Sequence, residues 1–595
     1  MKRLIKILLL GISCFSLTGC FSTLFLIMRN RNNNNTSSSE AESGSLIIKE
    51  KRSAKFYINE SANLNFKAYT LRDYQDITYI DFKEFHNSIF VEIASSTVQE
   101  TMDRTVKKSV DKQTITYKNA YGDYIFNPVE DTLYISNLNR NLFFMACVGE
   151  DFVLANGVET RYVTYTNESY DRPSAKIFYL NNYHIDIVRD NDNIYLPINT
   201  FIDIFLTTNM ISVAYNGKDL YFTGAFGDDV TGQTASNTLE KNFYDESPWH
   251  NSKTRSQSLA DFTYNELCFA IDYFYGLKEQ RGVYNANDVF NSMGIKNDML
   301  STNAQTYNAA IIEFGCHWLY DGHSGLTKYS PFKYASNHSE LRQAHLNSNH
   351  YYAKLMTAMN DLTELRDLHG KSQGLTFYGN TAILSFDMFI KSGRDLSDRY
   401  EAISYADLAG LDTYWMYKKA FDEIESRTDI QNIVFDTTLN VGGMIDALVW
   451  VQAFTNINQR LTFKNTLTGE ITRTSYRVDL NRDGAFNTLD TYQGKYNFYL
   501  MTSELSFSCG NAYPTFTKES GAMTIIGEKS GGGSCAVGAL TTACGDVFSL
   551  SSTFQFGTYS GGVFQDNEDG IAPDYDLNRE FFYSDYSINN FVNSL

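Results

Sequence analysis

Positive charge is scarce in this sequence. Against 69 Asp and Glu there are only 50 Lys and Arg, a formal net charge of −19, and the basic residues form no strong local patch. Such a balance repels phosphate backbones and anionic headgroups, so no nucleic acid is expected as a partner. Cysteine is the second shortage. Of eight, Cys14 lies in an apolar leader, and Cys147, Cys268, Cys316, Cys509, Cys535 and Cys544 lack the spacing of metal ligands, so no zinc site is expected; no catalytic metal is expected either. Cys535 and Cys544 allow a disulfide in an oxidising compartment; buried free thiols are the plainer reading. Apolar side chains are plentiful, 43% of 595 residues, with 15% aromatic, mostly Tyr and Phe. That composition supports several packed domains and argues against disorder over most of the chain.

The N-terminus is patterned. Lys2, Arg3 and Lys6 form a basic start, an apolar stretch runs from Ile7 to Leu17, and Leu17-Thr18-Gly19-Cys20 closes it. This resembles a bacterial lipobox. The resemblance implies cleavage before Cys20, lipidation of its thiol and a chain held outside the cytoplasm on the bacterial cell membrane. An uncleaved transmembrane helix continuing to Met28 is the alternative, and it too exports the bulk of the chain.

Five segments follow from composition and period. Residues 1–20 read as signal peptide and 21–45, rich in Asn and Ser, as a flexible tether. Residues 46–225 read as a β-rich, stalk-like accessory domain. In it YTLRDYQDITYIDFKEFHNSI from Tyr69 and YHIDIVRDNDNIYLPINTFIDIFL from Tyr183 each predict strand, turn, strand and short helix. Residues 226–375 read as a polar linker, Asp228 to Ser258, and a helical lead-in. Residues 376–595 alternate: TAILSFDMFI, the LDTYWMYKKAFDEIE helix, IQNIVFD, the MIDALVWVQAF helix, YNFYLMTS, the AYPTFTKES helix and AMTIIGEK. The alternation predicts an α/β layered fold with parallel strands.

Four pieces in this half stand in a telling order. They are Asp321-Gly322-His323-Ser324-Gly325-Leu326; Val434-Phe435-Asp436 running to Asn440-Val441-Gly442-Gly443; Ser506-Phe507-Ser508-Cys509-Gly510-Asn511; and Ile526 to Gly533, followed by Glu568-Asp569-Gly570-Ile571-Ala572-Pro573-Asp574. In order and spacing they resemble the tail-specific, C-terminal-processing serine peptidases. The resemblance runs from about His323 to Leu577. It implies a crotonase/ClpP-like layered peptidase core, Ser508 as nucleophile and His323 as its general base. It also implies a polypeptide substrate. A serine hydroxyl is a poor nucleophile until a neighbouring imidazole takes its proton. The Cys509 amide and the Gly442-Gly443 backbone are the expected oxyanion hole. Taken singly, Ser508 also reads as a helix cap, His323 as a surface histidine and the glycines as turn residues.

The branch is legible as well. The lysine of the Ser-Lys members would fall at Gly533, and Lys529 lies one turn too early, so His323 points to the tricorn-like branch. There a serine and a glutamate support the histidine. Here Gly322 precedes it, leaving that role to Asp321, Ser324 or a water, and Glu568 is the candidate distal acid, with Asp566 and Asp574 as competitors. A non-catalytic, surface-binding lipoprotein on a peptidase scaffold is the rival reading.

A separate motif reads as a calcium loop. Asp479, Asn481, Asp483, Asn487 and Asp490 place oxygen donors at loop positions 1, 3, 5, 9 and 12, with Gly484 at 6 and the Ala485 carbonyl at 7. A structural calcium ion stiffening the approach to Ser508 is expected, with an ion-free Asx-rich turn as the alternative. The interval from His323 to Thr381 looks helical and leaves no evident room for a PDZ module.

Overall fold

The computed structural model describes residues 48–595 apart from 73, 97–105, 120–121, 137, 139–161, 171–174, 210, 227–234, 236 and 393. The leader, the tether and Cys20 lie outside the described residues. Among the described residues no helix is long and apolar enough to cross a membrane.

The N-terminal part is β-rich. Both expected strand-turn-strand-helix units form: Ala62–Leu71 and Thr78–Asp81 lead into the helix Phe82–Ser96, and Val188–Asp190 and Asn193–Pro197 lead into helical turns from Ile198 to Leu206. The units meet in one seven-stranded sheet, where Tyr79 pairs Pro197, Ile80 pairs Leu196 and Asp81 pairs Tyr195, antiparallel. Aromatic rings join their helices: Phe85 lies 4.9 Å from Phe201 and Phe82 5.5 Å from Phe205, centroid to centroid. Such ring pairs add to the area they bury. A five-stranded antiparallel sheet, Lys107–Val110 to Lys176–Tyr179, completes this part.

Two boundaries differ from the sequence reading. Strand Val163–Tyr170 leaves the 46–225 segment and pairs antiparallel along Ile471–Val478, from Val163 opposite Val478 to Tyr170 opposite Ile471. A strand signal carries no address for a partner some 300 residues away, so composition could not see this exchange. The polar stretch Asp228 to Ser258 is also not all linker. Helix Thr238–Asp245, capped by the Asn237 side chain, buries Phe243, and Trp249 stacks on Phe332 at 5.3 Å.

The C-terminal half is a layered α/β fold. Its six-stranded sheet runs Gly374–Tyr378, Thr381–Ser385, Asn432–Asp436, Asn497–Thr502, Thr524–Gly527, Tyr575–Asp576, all parallel after the first antiparallel pair. Successive side chains alternate between two buried faces. Ala382, Leu384, Ile433, Phe435, Phe498 and Leu500 pack toward helices Thr413–Glu425, Ile445–Gln452 and Cys509–Ser520. Ile383, Val434, Tyr499, Met501 and Ile526 pack toward helices His350–Leu368 and Asp585–Val592. Burial on both faces is why these strands read as near-continuous apolar runs.

A second sheet carries the histidine. Strand Gly325–Lys328, which starts two residues after His323, pairs with the long strand Val547–Ser560, and that strand also pairs Gln459–Asn465. Helices His338–Ser348 and His350–Leu368 fill most of the interval up to Thr381.

Candidate active site

The site forms where loops leave the ends of neighbouring parallel strands. After strand Asn497–Thr502 the chain turns sharply, and Ser508 stands at φ +57°, ψ −122° just before helix Cys509–Ser520. A non-glycine residue held in such a region costs on the order of 1–3 kcal/mol and persists only where its surroundings over-determine it. They do so here. The Ser506 hydroxyl donates to the Thr437 carbonyl at 2.7 Å, the Phe507 amide to the Asn440 carbonyl at 3.1 Å and the Ser508 amide to the Gly532 carbonyl at 3.0 Å. The Gly531 amide returns a bond to the Ser506 carbonyl at 2.9 Å.

Glycines make the close approach possible. A Cβ on Gly442 would lie 2.6 Å from Ser508 Cβ and 3.1 Å from its Oγ, and one on Gly443 would lie 2.1 Å from the Phe389 carbonyl oxygen. The Gly442 amide donates to Asn440 Oδ1 at 3.0 Å. Of the three residues expected to form an oxyanion hole, Gly442 therefore supplies clearance and no free donor. Among the described residues the amides of Gly443 and Cys509 have no acceptor. The Cys509 thiol is buried and pushed up by desolvation, the Asp446 charge adding to this, so it competes poorly as a nucleophile.

His323 lies against Phe507. Its imidazole packs on that ring with centroids 4.7 Å apart, and the residue is 6% exposed. Burial lowers its pKa to about 4, against a smaller upward pull from the Asp321 charge, so the ring is neutral near pH 7 and able to accept a proton. Its Nε2 has no hydrogen-bond partner among the described residues. The expected bond to Ser508 is not made here, and the imidazole lies tilted against the Phe507 ring. Catalytic hydrogen bonds are often loose or open in unliganded enzymes.

The supporting acids are arranged differently from expectation. Asp321 Oδ1 accepts from the His323 and Ser324 amides, at 3.0 and 2.7 Å, and from the Ser551 hydroxyl at 3.2 Å. Its Oδ2 accepts from the Tyr275 and Ser324 hydroxyls. Asp321 and Ser324 thus fix the histidine's backbone, and neither bonds the imidazole. Glu568 Oε2 accepts from the Ser534 amide at 2.7 Å and hydroxyl at 2.6 Å. Burial raises Glu568 to about 7, the Ser534 bonds opposing and the Asp321 and Asp566 charges adding. Of the competitors, Asp566 caps the Glu568 amide and Asp574 pairs with Lys518 and the Ile525 amide. Lys529 is exposed.

Gly322, where the resembled branch has serine, has a steric reason. It stands at φ +96°, and a Cβ there would lie 2.7 Å from Phe507 Cζ and 2.8 Å from the Tyr351 hydroxyl oxygen. Phe507 and Tyr351 fill the place a serine would take. Sequence reasoning missed Tyr351, which carries no local signal, and Ser534 and Asn440, which sit inside or beside motifs it had singled out.

The loop Asp479 to Asp490 folds on its own amides. Asp479 accepts from the Asp483 and Gly484 amides, Asp483 from that of Ala485, and Asp490 from those of Leu480 and Asn487. Arg482 adopts φ +59° and Gly484 φ +84°. No cluster of three or more His, Cys, Asp or Glu side chains is gathered for a metal among the described residues. Asp479 and Asp490 are nonetheless buried close enough that burial, with the Asp479 charge adding, raises Asp490 against the pull of its amide bonds. Those two charges are what a cation would offset. Cys535 and Cys544 are free, buried thiols.

Gly322→Ser is expected to harm this protein although it restores the residue of the resembled branch. Overlap with Phe507 and a positive φ should lower stability by about 1–3 kcal/mol in chemical denaturation. An unchanged midpoint would contradict the packing described.

No curated protein sequence matches the chain. Among solved structures, similarity extends to the photosystem II D1 C-terminal processing protease at 16% identity, covering 34% of this chain and 43% of that one, with TM-score 0.24. It also extends to mature CPAF complexed with lactacystin at 15% identity, covering 36% and 51%, TM-score 0.25. A lipoprotein from Streptococcus agalactiae matches at 9% identity, covering 56% and 96%, TM-score 0.32. The chain thus spans about half the length, or less, of the first two. A family model matches residues 400–577, a span that holds Gly442, Gly443, Ser508, Cys509 and Glu568 and leaves His323 outside. Over that span the chain is similar to peptidase family S41.

Proposed function

We propose that this protein is a serine peptidase acting on exported or surface polypeptides through an acyl-enzyme on Ser508. The observation that carries the reading is the strained Ser508 turn beside the unpaired Cys509 and Gly443 amides, within the segment similar to peptidase family S41. In the proposed reaction Ser508 Oγ attacks the carbonyl carbon of the scissile peptide while the His323 imidazole takes its proton. The two amides hold the developing oxyanion. The imidazolium returns the proton to the leaving amine as the C–N bond breaks. Water then attacks the ester carbonyl, its proton passing to His323 and on to Ser508 Oγ as the acid product leaves. For this the imidazole must swing off Phe507 toward Ser508 when substrate binds; the Asp321 charge favours imidazolium, and Glu568, held by Ser534, would add its own if the turned ring comes beside it.

Fluorophosphonate labelling tests the assignment. Parent protein should label, Ser508→Ala should not, and His323→Ala should label at least about 10²-fold more slowly. The rate should climb as the His323 proton is lost above about pH 4 and climb again through about pH 7 as Glu568 ionises, and Glu568→Gln should lack the second rise. Absence of labelling at every pH with the fold intact would favour a peptidase scaffold kept for binding.

Calcium and the lipid anchor belong to the same reading. Asp479, Asn481, Asp483, Asn487, Asp490 and the Ala485 carbonyl would hold the ion, which would neutralise buried carboxylates and stiffen the approach to the nucleophile strand. Millimolar calcium should raise the melting temperature of the parent and leave Asp479→Asn unmoved; equal responses would refute the site. Cys20 would carry the anchor, so Cys20→Ala should move the protein from the membrane fraction to the soluble one, and unchanged partitioning would count against lipidation.

A further inference from the structure

A cavity of about 640 Å³ lies far in sequence from Ser508, between the N-terminal β-rich part and the helical segment. One wall comes from the turn and strand around Tyr74 and Tyr79, with Asp131 and Asp186. The other comes from helix Gln257–Phe274, through Phe262 and Tyr264. Its volume is in the range of ordinary small-ligand sites.

Three polar groups face this cavity with polar atoms that no hydrogen bond takes among the described residues. Tyr79 is 2% exposed, yet among the described residues nothing hydrogen-bonds its hydroxyl. Asp186 is half-buried, and no donor among the described residues reaches its carboxylate. Asp131 uses Oδ1 to accept from the Ile187 amide at 2.7 Å, and among the described residues Oδ2 takes no donor. Desolvation, opposed by that bond and aided by the Asp186 charge, raises Asp131 to about 6. Two neighbouring carboxylates left open in one partly enclosed cavity focus a negative field there and attract a positive charge.

The basic groups nearby do not supply it. The Lys296 ammonium is bonded to Asn287 Oδ1 at 2.7 Å and lies over the Tyr264 ring at 5.4 Å. His184 is exposed on the cavity rim, where its charge acts on Asp186. Asp261, also on the rim, adds a third carboxylate. The aromatic walls favour a cation whose stem is apolar, because ring faces attract positive charge and cover methylene groups.

We propose that this cavity is a binding site for an organic cation, an ammonium or guanidinium group, with Asp131, Asp186 and Tyr79 as its polar floor and Tyr74, Phe262 and Tyr264 as its walls. The Asp131 backbone is already fixed for the task. It stands at φ +45°, and its carbonyl accepts from the Leu180 and Asn181 amides at 2.9 and 3.3 Å. The site is independent of the Ser508 chemistry, since none of its residues touches that centre.

Isothermal titration calorimetry on the full chain tests this, with spermidine, N-acetyl-lysine amide, a lysine-bearing peptide and the same peptide carrying glutamate. The cationic probes should bind at millimolar concentration and the glutamate peptide should not. Asp186→Asn should weaken binding at least about tenfold. Tyr79→Phe, which leaves the packing in place, should weaken it by about three- to tenfold. Asp367→Asn, an exposed change elsewhere, should leave it alone. Free amines binding as well as the peptide would identify a small cation as the ligand; binding of the lysine peptide alone would identify a side chain of a bound polypeptide. No binding by any cationic probe, or binding untouched by both Asp186→Asn and Tyr79→Phe, would overturn the proposal. Ser508 labelling in the same variants should be unchanged, which separates failure of this site from failure of the catalytic assignment.

Discussion

The site depends on one backbone conformation, the left-handed Ser508 held between two loops. On one side Thr437 and Asn440 offer carbonyls to Ser506 and Phe507, and on the other Gly532 accepts from Ser508 itself. Each bond is modest, about 0.5–1.5 kcal/mol net. Together they outweigh the strain of the turn and leave the Cys509 amide, at the start of a helix, without an acceptor among the described residues. The side-chain-free Gly442 then lets the loop after Asn432–Asp436 lie against the nucleophile. The loops after three neighbouring parallel strands, Asn432–Asp436, Asn497–Thr502 and Thr524–Gly527, meet in this way because those strands end on one edge of the sheet.

The histidine is delivered by the other sheet, and its setting is mostly apolar. Burial against Phe507 keeps the imidazole neutral, which is the form a base must have, while the fully formed network around Asp321 fixes only its backbone. Burial of a neutral histidine also couples stability to acidity. Its folded pKa lies below its unfolded value, so its contribution is complete above about pH 6.5 and is lost as pH falls toward about 4. Glu568 has the opposite sign. Its raised pKa means a contribution that is complete below its unfolded pKa and declines as pH rises through about 7. The two groups therefore set opposing slopes across the pH range in which the site would work.

Much of this was legible in the sequence. Every strand and helix named from Thr381 to Lys529 is present, because strands buried on both faces and helices with one apolar stripe leave strong local patterns. Ser508 and the glycines were legible because a strand-to-helix turn and close backbone contact restrict which residues fit. The rest depended on non-local contact. Val163–Tyr170 looks like any strand until Ile471–Val478 is seen beside it, and Gly322 looks like a lost serine until Phe507 and Tyr351 are seen filling the space. The Gly442 amide seemed a free donor because nothing in its spacing reveals that Asn440 Oδ1 takes it. Leader, tether and Cys20 fall outside the described residues.

The account stands on His323 reaching Ser508 although the resting imidazole lies on Phe507. A crystal structure of the protein bearing a peptidyl boronate on Ser508 tests this most directly. The account predicts the imidazole turned off Phe507, with a ring nitrogen within hydrogen-bond distance of Ser508 Oγ or a boronate oxygen, and a second boronate oxygen bonded to the Cys509 and Gly443 amides. An imidazole still unpaired against Phe507 in that adduct would contradict it.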